Sequence, residues 1–280
     1  GGGALQDLAR RDGPVCSRRW SALHPSNMAR RARWLRRGAF LALVTQRSAA
    51  DVAAEVASCS AFARGGPTRL QPEVAAAYIS CAARAGDLTA LRVLLEAGVP
   101  ADMPAAAGWR PAHEAAMAGH GEALELLLSH GASVHAQEDE GRTPLHWAVL
   151  GGHLAVAELL LQAGADLEAR DRSLAPVLHG CALQGHAAMA ALLLEVRADI
   201  ATVDGWQQSL LHMAVVEGHA GLAELLLARG APTDVPDGDG VSPFQRAVMM
   251  AQVANPGSDQ VLALLVEAVE GRATSDFEQG

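Results

Sequence analysis

The chain has 280 residues and a formal net charge of −9, and half of its residues are hydrophobic although only 4% are aromatic. Its apolar mass is therefore alanine, leucine and valine, which suits closely packed helices, and no run reaches the roughly 18 apolar residues that would span a bilayer. All 22 Lys or Arg positions are arginine, so the chain offers no lysine side chain for acetylation or ubiquitination.

Residues 1–70 form a basic N-terminal arm with a net charge of +8, whereas residues 71–280 carry −17. The segment that begins at Met28, MARRARWLRRGAFLALVTQRSAA, is rich in arginine and free of acidic residues. Three interpretations stay open: a mitochondrial-type transit peptide, an amphipathic helix that binds a membrane or a partner, or an arm that is poorly ordered or merely packs on the rest of the chain. Within the arm, residues 48–63 favour a helix with Ser48 as its N-cap.

The opposite charges of the two parts lead to two further expectations. The acidic part should repel nucleic acid and anionic membranes, so contact with either is expected only through the arm. The arm could also fold onto the acidic part, and the chain would then be an autoinhibited or targeted regulatory adaptor. In that case, deletion of residues 1–70 would strengthen partner binding at low salt.

A 33-residue period runs through the acidic part of the chain. Four histidines and four Gly-His pairs recur at this spacing, and each pair precedes a leucine-rich segment such as LAVAELLLQAGA. The positions are His113, His146, His179 and His212, with Gly-His pairs at 119–120, 152–153, 185–186 and 218–219. A catalytic site is built once, so a pattern repeated four times in one register indicates architecture.

Residues 141–173 show how one unit should fold. Thr143-Pro144 opens a short first helix, because proline suits the first helical position, and a Gly-Gly pair ends it. His153 then begins a second helix with an apolar stripe of leucines. We expect His146 to hydrogen-bond Thr143 and nearby backbone, and His153 to bond loop carbonyls.

This unit, with its TPLHWA motif, its period and its turn glycines, resembles the ankyrin repeat. The resemblance covers about residues 75–271 and implies an all-α solenoid of stacked helix pairs with finger loops resembling β-hairpins between them. The expected domain spans 71–275, and its six repeats are 75–107, 108–140, 141–173, 174–206, 207–239 and 240–271, the last with a C-terminal cap.

Two repeats depart from the pattern. Repeat 174–206 has its proline displaced to Pro176 and has Arg197 where other repeats carry glycine. A left-handed backbone at that arginine would cost about 1 kcal/mol, so this repeat should be the softest. In the last repeat Gln245 replaces the histidine, and Gly271 stands about eight residues late, which predicts a lengthened turn between its helices.

The resemblance implies a binding module that recognises a protein partner through a concave surface of fingers and first helices. The expected partner-binding residues flank the repeated positions. In the fingers they are Trp109, Asp139, Glu140, Arg142, Arg172, Ser173, Trp206, Gln208, Gly238 and Asp239, and on the first helices they are Met117, Leu150, Leu183, Gln184, Val216 and Glu217. Trp147, in contrast, should belong to the core. Apolar residues beside acidic tips suit a basic or amphipathic partner segment.

The sequence supports no other kind of site. It contains no GxSxG, P-loop or HExxH motif, and histidines of successive repeats should lie about 8–10 Å apart, too far to share one metal ion. We therefore expect no catalytic, metal or cofactor site. The four cysteines show no CxxC spacing, and Cys181 should be a buried thiol, which favours a reducing compartment. The expectation is a cytoplasmic monomer, with nuclear location or mitochondrial targeting as alternatives.

Overall fold

The computed structural model describes residues 72–252 and 257–278, with side chains from 75 to 252 and from 257 to 270. The expectations for the basic N-terminal arm therefore lie outside the described residues. None of the helices in the described ranges is long and apolar enough to cross a membrane.

Regular structure in the described part of the chain consists of six pairs of α-helices. The first helices of the pairs are α1 (Pro72–Ala85), α3 (Pro111–Ala118), α5 (Pro144–Gly151), α7 (Gly180–Gln184), α9 (Leu210–Glu217) and α11 (Pro243–Gln252). The second helices are α2 (Leu88–Glu96), α4 (Gly121–Ser129), α6 (Leu154–Gln162), α8 (Ala187–Glu195), α10 (Ala220–Ala228) and α12 (Ser258–Glu278). First helices pack on first helices of the next pair, and second on second. The prediction of an all-α repeat solenoid is confirmed.

Helix α5 shows how the sequence sets the ends of a first helix. Pro144 occupies the first helical position after the N-cap Thr143. The imidazole Nδ1 of His146 accepts a hydrogen bond from the Thr143 amide at 3.1 Å and another from its hydroxyl at 2.9 Å, as expected. Gly152 ends the helix at a φ of 71°, in the left-handed region that glycine adopts at least cost.

The histidines that precede helices α6 and α8 link neighbouring repeats. His153 Nε2 lies 3.0 Å from the Met117 carbonyl oxygen, and His186 Nε2 lies 3.3 Å from that of Leu150. These acceptors are carbonyls in the last turn of the preceding first helix, where the helix has none of its own donors left. His153 therefore bonds a carbonyl, as expected, but a helical one in the repeat before it.

The buried side chains of the core recur with the 33-residue period of the sequence. Five second helices, α2 to α10, each bury a leucine at the same repeat position, 33 residues apart: Leu94, Leu127, Leu160, Leu193 and Leu226. First helices contribute small buried residues at the same spacing: Ala82, Ala115, Ala148, Cys181, Ala214 and Ala247. Small side chains let the first helices approach closely, and Cys181 is the buried thiol that the sequence predicts.

The two irregular repeats differ from the others in their helices. Helix α7 has only five residues and follows a 3₁₀ turn at Val177–His179. Arg197 adopts a φ of 74°, so the non-glycine left-handed position is present. Gly271 lies inside α12 rather than at its end, so its interpretation as the glycine that ends the second helix is wrong; an interior glycine costs a helix only about 1 kcal/mol relative to alanine.

Candidate functional site: the finger row and first-helix ends

The finger loops join each helix pair to the next, and four of them span 132–143, 165–176, 198–209 and 231–242. One backbone hydrogen bond recurs along them, from a finger amide to a carbonyl in the loop before it. The distance from the amide nitrogen to the carbonyl oxygen is 3.0 Å from Asp139 to Ala107 and 2.8 Å from Arg172 to Glu140. It is 2.9 Å from Gly205 to Ser173 and 2.8 Å from Gly238 to Trp206. These bonds fix the finger tips in one row, the finger row, without using their side chains.

A buried carboxylate stands at the base of each finger. The four are Glu138, Asp171, Asp204 and Asp237. In the third finger, Asp204 Oδ1 accepts hydrogen bonds from the amides of Trp206 and Gln208, both at 2.9 Å. The equivalent bonds in the other fingers run from amides two and four residues later. The carboxylate thus closes the turn that presents each finger tip.

The remaining oxygen of each aspartate has a different environment. Arg142 Nε lies 3.4 Å from Asp171 Oδ2, and Arg246 donates to Asp237 Oδ2. Burial alone would raise the pKa of Asp237, but the Arg246 hydrogen bond and the finger amides outweigh it, so that pKa is lowered. Burial raises the pKa of Asp204, whose Oδ2 has no hydrogen-bond or ion-pair partner among the described residues.

Three of the four recurring histidines tie a first helix to a finger: the Nε2 atoms of His113, His179 and His212 lie 3.0, 3.1 and 3.0 Å from finger carbonyl oxygens. In His212 the Nδ1 atom accepts from the Ser209 amide at 3.1 Å, and the Nε2 atom lies 3.0 Å from the Val241 carbonyl oxygen. An amide can only donate, so the proton sits on Nε2 and the ring is neutral. Burial lowers the pKa of three of these rings, His113, His146 and His179, to about 4. Their role is structural.

Two tryptophans and an arginine stack where the first of these four fingers ends and helix α5 begins. The rings of Trp109 and Trp147 have centroids 4.7 Å apart, and the Arg142 guanidinium carbon lies 5.2 Å from the Trp147 centroid. Trp147 is buried, as predicted, and Trp109 is half-buried. The expectation that Arg142 is exposed is wrong, because its long side chain lies back on Trp147 and Asp171 and is only 6% exposed.

The other expected partner-binding residues fall into two rows. The finger row exposes Asp139, Arg172, Trp206, Gly238 and Asp239, and half-buries Glu140, Ser173 and Gln208. At the ends of the first helices Gln184 is exposed, and Met117, Leu150, Leu183, Val216 and Glu217 are half-buried. The two rows are separated by the length of a first helix, about 12 Å for eight residues. The residues therefore form two separate rows and do not converge on a point.

In the described ranges, no three His, Cys, Asp or Glu side chains are grouped in a way that could hold a metal ion. A model of three ankyrin repeats matches residues 79–171, and a model of the single repeat matches residues 206–238. The chain is an ankyrin repeat protein. No curated protein is similar enough to count as a relative.

Ankyrin repeats are generally protein–protein interaction modules and are typically non-catalytic. The two matches leave out residues 172–205. That interval contains the shortened helix α7 and the left-handed Arg197, which depart most from the ankyrin pattern. The unmatched repeat lies in the middle of the stack, so its departures are not those of a terminal cap.

Sequence reasoning missed two features of the ankyrin fingers. The first is the column of buried carboxylates, although its members also recur at 33-residue spacing. The second is Leu174, which is 57% exposed and adopts a φ of 57°. Gly141 and Gly240 occupy the equivalent left-handed position in other fingers, so a comparison of the repeats would have revealed the exception.

Proposed function

We propose that the chain is a non-catalytic adaptor that binds a protein partner with the finger row and the adjoining first-helix ends. The observation that carries the proposal is the exposure of a large apolar side chain on each of three successive fingers. Leu174 is 57% exposed, Trp206 is 38% exposed, and Val235 is also exposed. Large exposed apolar side chains that recur on neighbouring loops favour an interaction surface.

The finger backbone supports the same proposal. Leu174 and Gln207 adopt left-handed φ angles of 57° and 60°, and each costs on the order of 1 kcal/mol relative to glycine. Strained residues cluster at binding sites, where their geometry serves recognition. The inter-finger hydrogen bonds hold these tips in place before a partner arrives, which reduces the entropy lost on binding.

Charge indicates the kind of partner. Residues 71–280 carry a net charge of −17, and exposed acids such as Asp139, Asp234 and Asp239 lie in the fingers. An acidic surface repels nucleic acid and attracts basic protein segments. The partner we propose is therefore a basic or amphipathic protein segment. The buried thiol of Cys181 favours an encounter in a reducing compartment such as the cytoplasm.

The test is a capture experiment with matched variants of the full chain. The binding-face variant combines Leu174→Ala and Trp206→Ala, and the control combines Leu154→Ala and Val196→Ala, two exposed apolar residues beside the second helices. The bait is immobilised through a tag, since lysine-directed coupling has no target in this chain. A protein that the wild type and the control retain but the binding-face variant loses supports the proposal. A protein lost only from the control would contradict it.

A further inference from the structure

The finger carboxylates create four equivalent slots along the finger row. Each slot is formed by three residues. One lies at the base of a finger, the second is the buried carboxylate of the next finger, and the third lies in the first helix that follows that carboxylate's finger. The four sets are Trp109, Glu138 and Trp147; Arg142, Asp171 and Gly180; Ala175, Asp204 and Met213; and Gln208, Asp237 and Arg246.

Backbone hydrogen bonds show that the finger-base residues are structurally equivalent. The amides of Arg142, Ala175 and Gln208 each donate to the carboxylate of their own finger, at 3.3, 3.1 and 2.9 Å. The first-helix residues are equivalent too, because each directly follows the histidine or Gln245 that marks the helix start. Residues at these positions therefore occupy equivalent places in successive repeats.

Three of the four slots are filled by the chain itself. In the first, the rings of Trp109 and Trp147 stack on each other. In the second, Arg142 reaches Asp171 from the finger base. In the fourth, Arg246 reaches Asp237 from the first helix. Arginine thus enters this kind of slot from either side and pairs with the finger aspartate.

The third slot lacks such a cation. Ala175 and Met213 stand where the neighbouring slots have arginine, and neither carries a charge. Asp204 is only 4% exposed, yet its Oδ2 has no partner in the described part of the chain and is not sealed from solvent. A buried carboxylate oxygen without an ion-pair partner is costly, and Asp171 and Asp237 on either side add to the negative potential. The nearby Arg170 guanidinium donates to the carbonyl oxygens of Leu174 and Val203 and forms no ion pair with Asp204 among the described residues. Leu174 and Trp206, the most exposed apolar finger residues, belong to the two fingers that form this slot.

We propose that the third slot binds an arginine side chain of the protein partner, whose guanidinium pairs with Asp204 Oδ2 between Ala175 and Met213. The proposal rests on the proposed function and narrows it to one anchor. Arginine fits better than lysine because its planar, weakly hydrated head group suits apolar walls. The same group already occupies the two neighbouring aspartate slots.

The carboxyl of Asp204 reports directly on the slot. Carbon-13 NMR of the full chain should show this carboxyl titrating above the ordinary aspartate range, because burial without a cation raises its pKa. If Asp204 instead titrates below that range in the isolated chain, a cation of the chain itself, such as an arginine of the N-terminal arm, already fills the slot. That result would overturn the proposal.

Peptides provide the binding test. Random peptides displayed on phage would be selected on the full chain, and the retained sequences synthesised and scanned with alanine. We expect one arginine whose replacement weakens binding by about tenfold or more, which matches the cost of breaking a buried charge pair. Asp204→Asn and Ala175→Arg should weaken binding to a similar extent, the first by removing the anion and the second by filling the slot as Arg142 fills its own. Glu158→Gln and Ala188→Arg, the same changes on exposed positions of the second helices, should leave binding unchanged.

The outcomes separate this inference from the proposed function. Peptides that bind and compete with the captured partner but ignore Asp204→Asn and Ala175→Arg would leave the binding face intact and overturn the arginine slot. Failure to select any peptide, together with capture that the binding-face variant does not affect, would contradict both.

Discussion

Acid should destabilise this protein because its core histidines are buried in the neutral form. Burial lowers the pKa of His113, His146 and His179 from 6.5 to about 4. A folded-state pKa below the unfolded value contributes stability that is present above pH 6.5 and is lost as the pH falls from 6.5 towards 4. At pH 5 the loss is about 2 kcal/mol for each ring, or roughly 6 kcal/mol for the three.

That loss is comparable to the whole stability of a typical domain, about 5–15 kcal/mol. We expect the urea midpoint to fall steeply between pH 7 and pH 5. His146→Gln isolates one ring, because Gln245 shows that a glutamine can take the same position: its Oε1 accepts the Ser242 amide at 3.0 Å. The variant should be less stable at pH 7 but should lose about 2 kcal/mol less than the wild type between pH 7 and pH 5.

The comparison has an internal control. Glu138 and Asp204 have raised pKa values through burial and so act in the opposite direction, but they are the same in both proteins and cancel in the difference. Gln245→His adds a histidine at an exposed position and should not increase the pH dependence by a similar amount. Equal losses of stability in the wild type and His146→Gln would refute the assignment of buried neutral histidines.

Three further predictions concern stability, measured as urea midpoints at neutral pH. Arg197→Gly should stabilise the chain by about 0.5–1 kcal/mol, since it relieves a left-handed φ of 74°; no gain would contradict the strain. Gly152→Ala should lower the free energy of unfolding by about 1 kcal/mol more than Gly230→Ala does. Both positions are left-handed, but only at Gly152 would the new Cβ lie 2.8 Å from a neighbouring ring, that of His186. Equal losses in the two variants would refute the role of that contact. Arg142→Ala should cost about 2 kcal/mol through the loss of the Asp171 pair and the Trp147 contact, whereas exposed Arg172→Ala should cost less than about 0.5 kcal/mol.

The sequence alone predicted the features that depend on local chemistry. Thr143, Pro144 and His146 define the start of a first helix within four residues, and their hydrogen bonds are those expected. Cys181 was identified as buried because it replaces a small residue in a repeated position. The left-handed conformation of Arg197 followed from the glycines at its equivalent positions.

Features that depend on how far a side chain reaches could not be predicted in this way. Arg142 is next to the repeated Thr-Pro pair, and its position in the repeat predicts that it is exposed. The structure shows instead that its side chain lies against Trp147 and Asp171. The first helix α1 begins at Pro72, three residues before the expected start of the first repeat at residue 75. The lack of an arginine beside Asp204 is recognised only by comparison with the ion pairs that arginines form with Asp171 and Asp237 in the neighbouring fingers.

Hydrogen exchange with and without the captured partner tests the central claim most directly. If the finger row is the binding face, the partner should slow exchange of the amides in fingers 165–176, 198–209 and 231–242. Exchange in the second helices α6, α8 and α10 should not change. Protection confined to the second helices, with unchanged finger amides, would show that the partner binds the opposite side and would contradict the account.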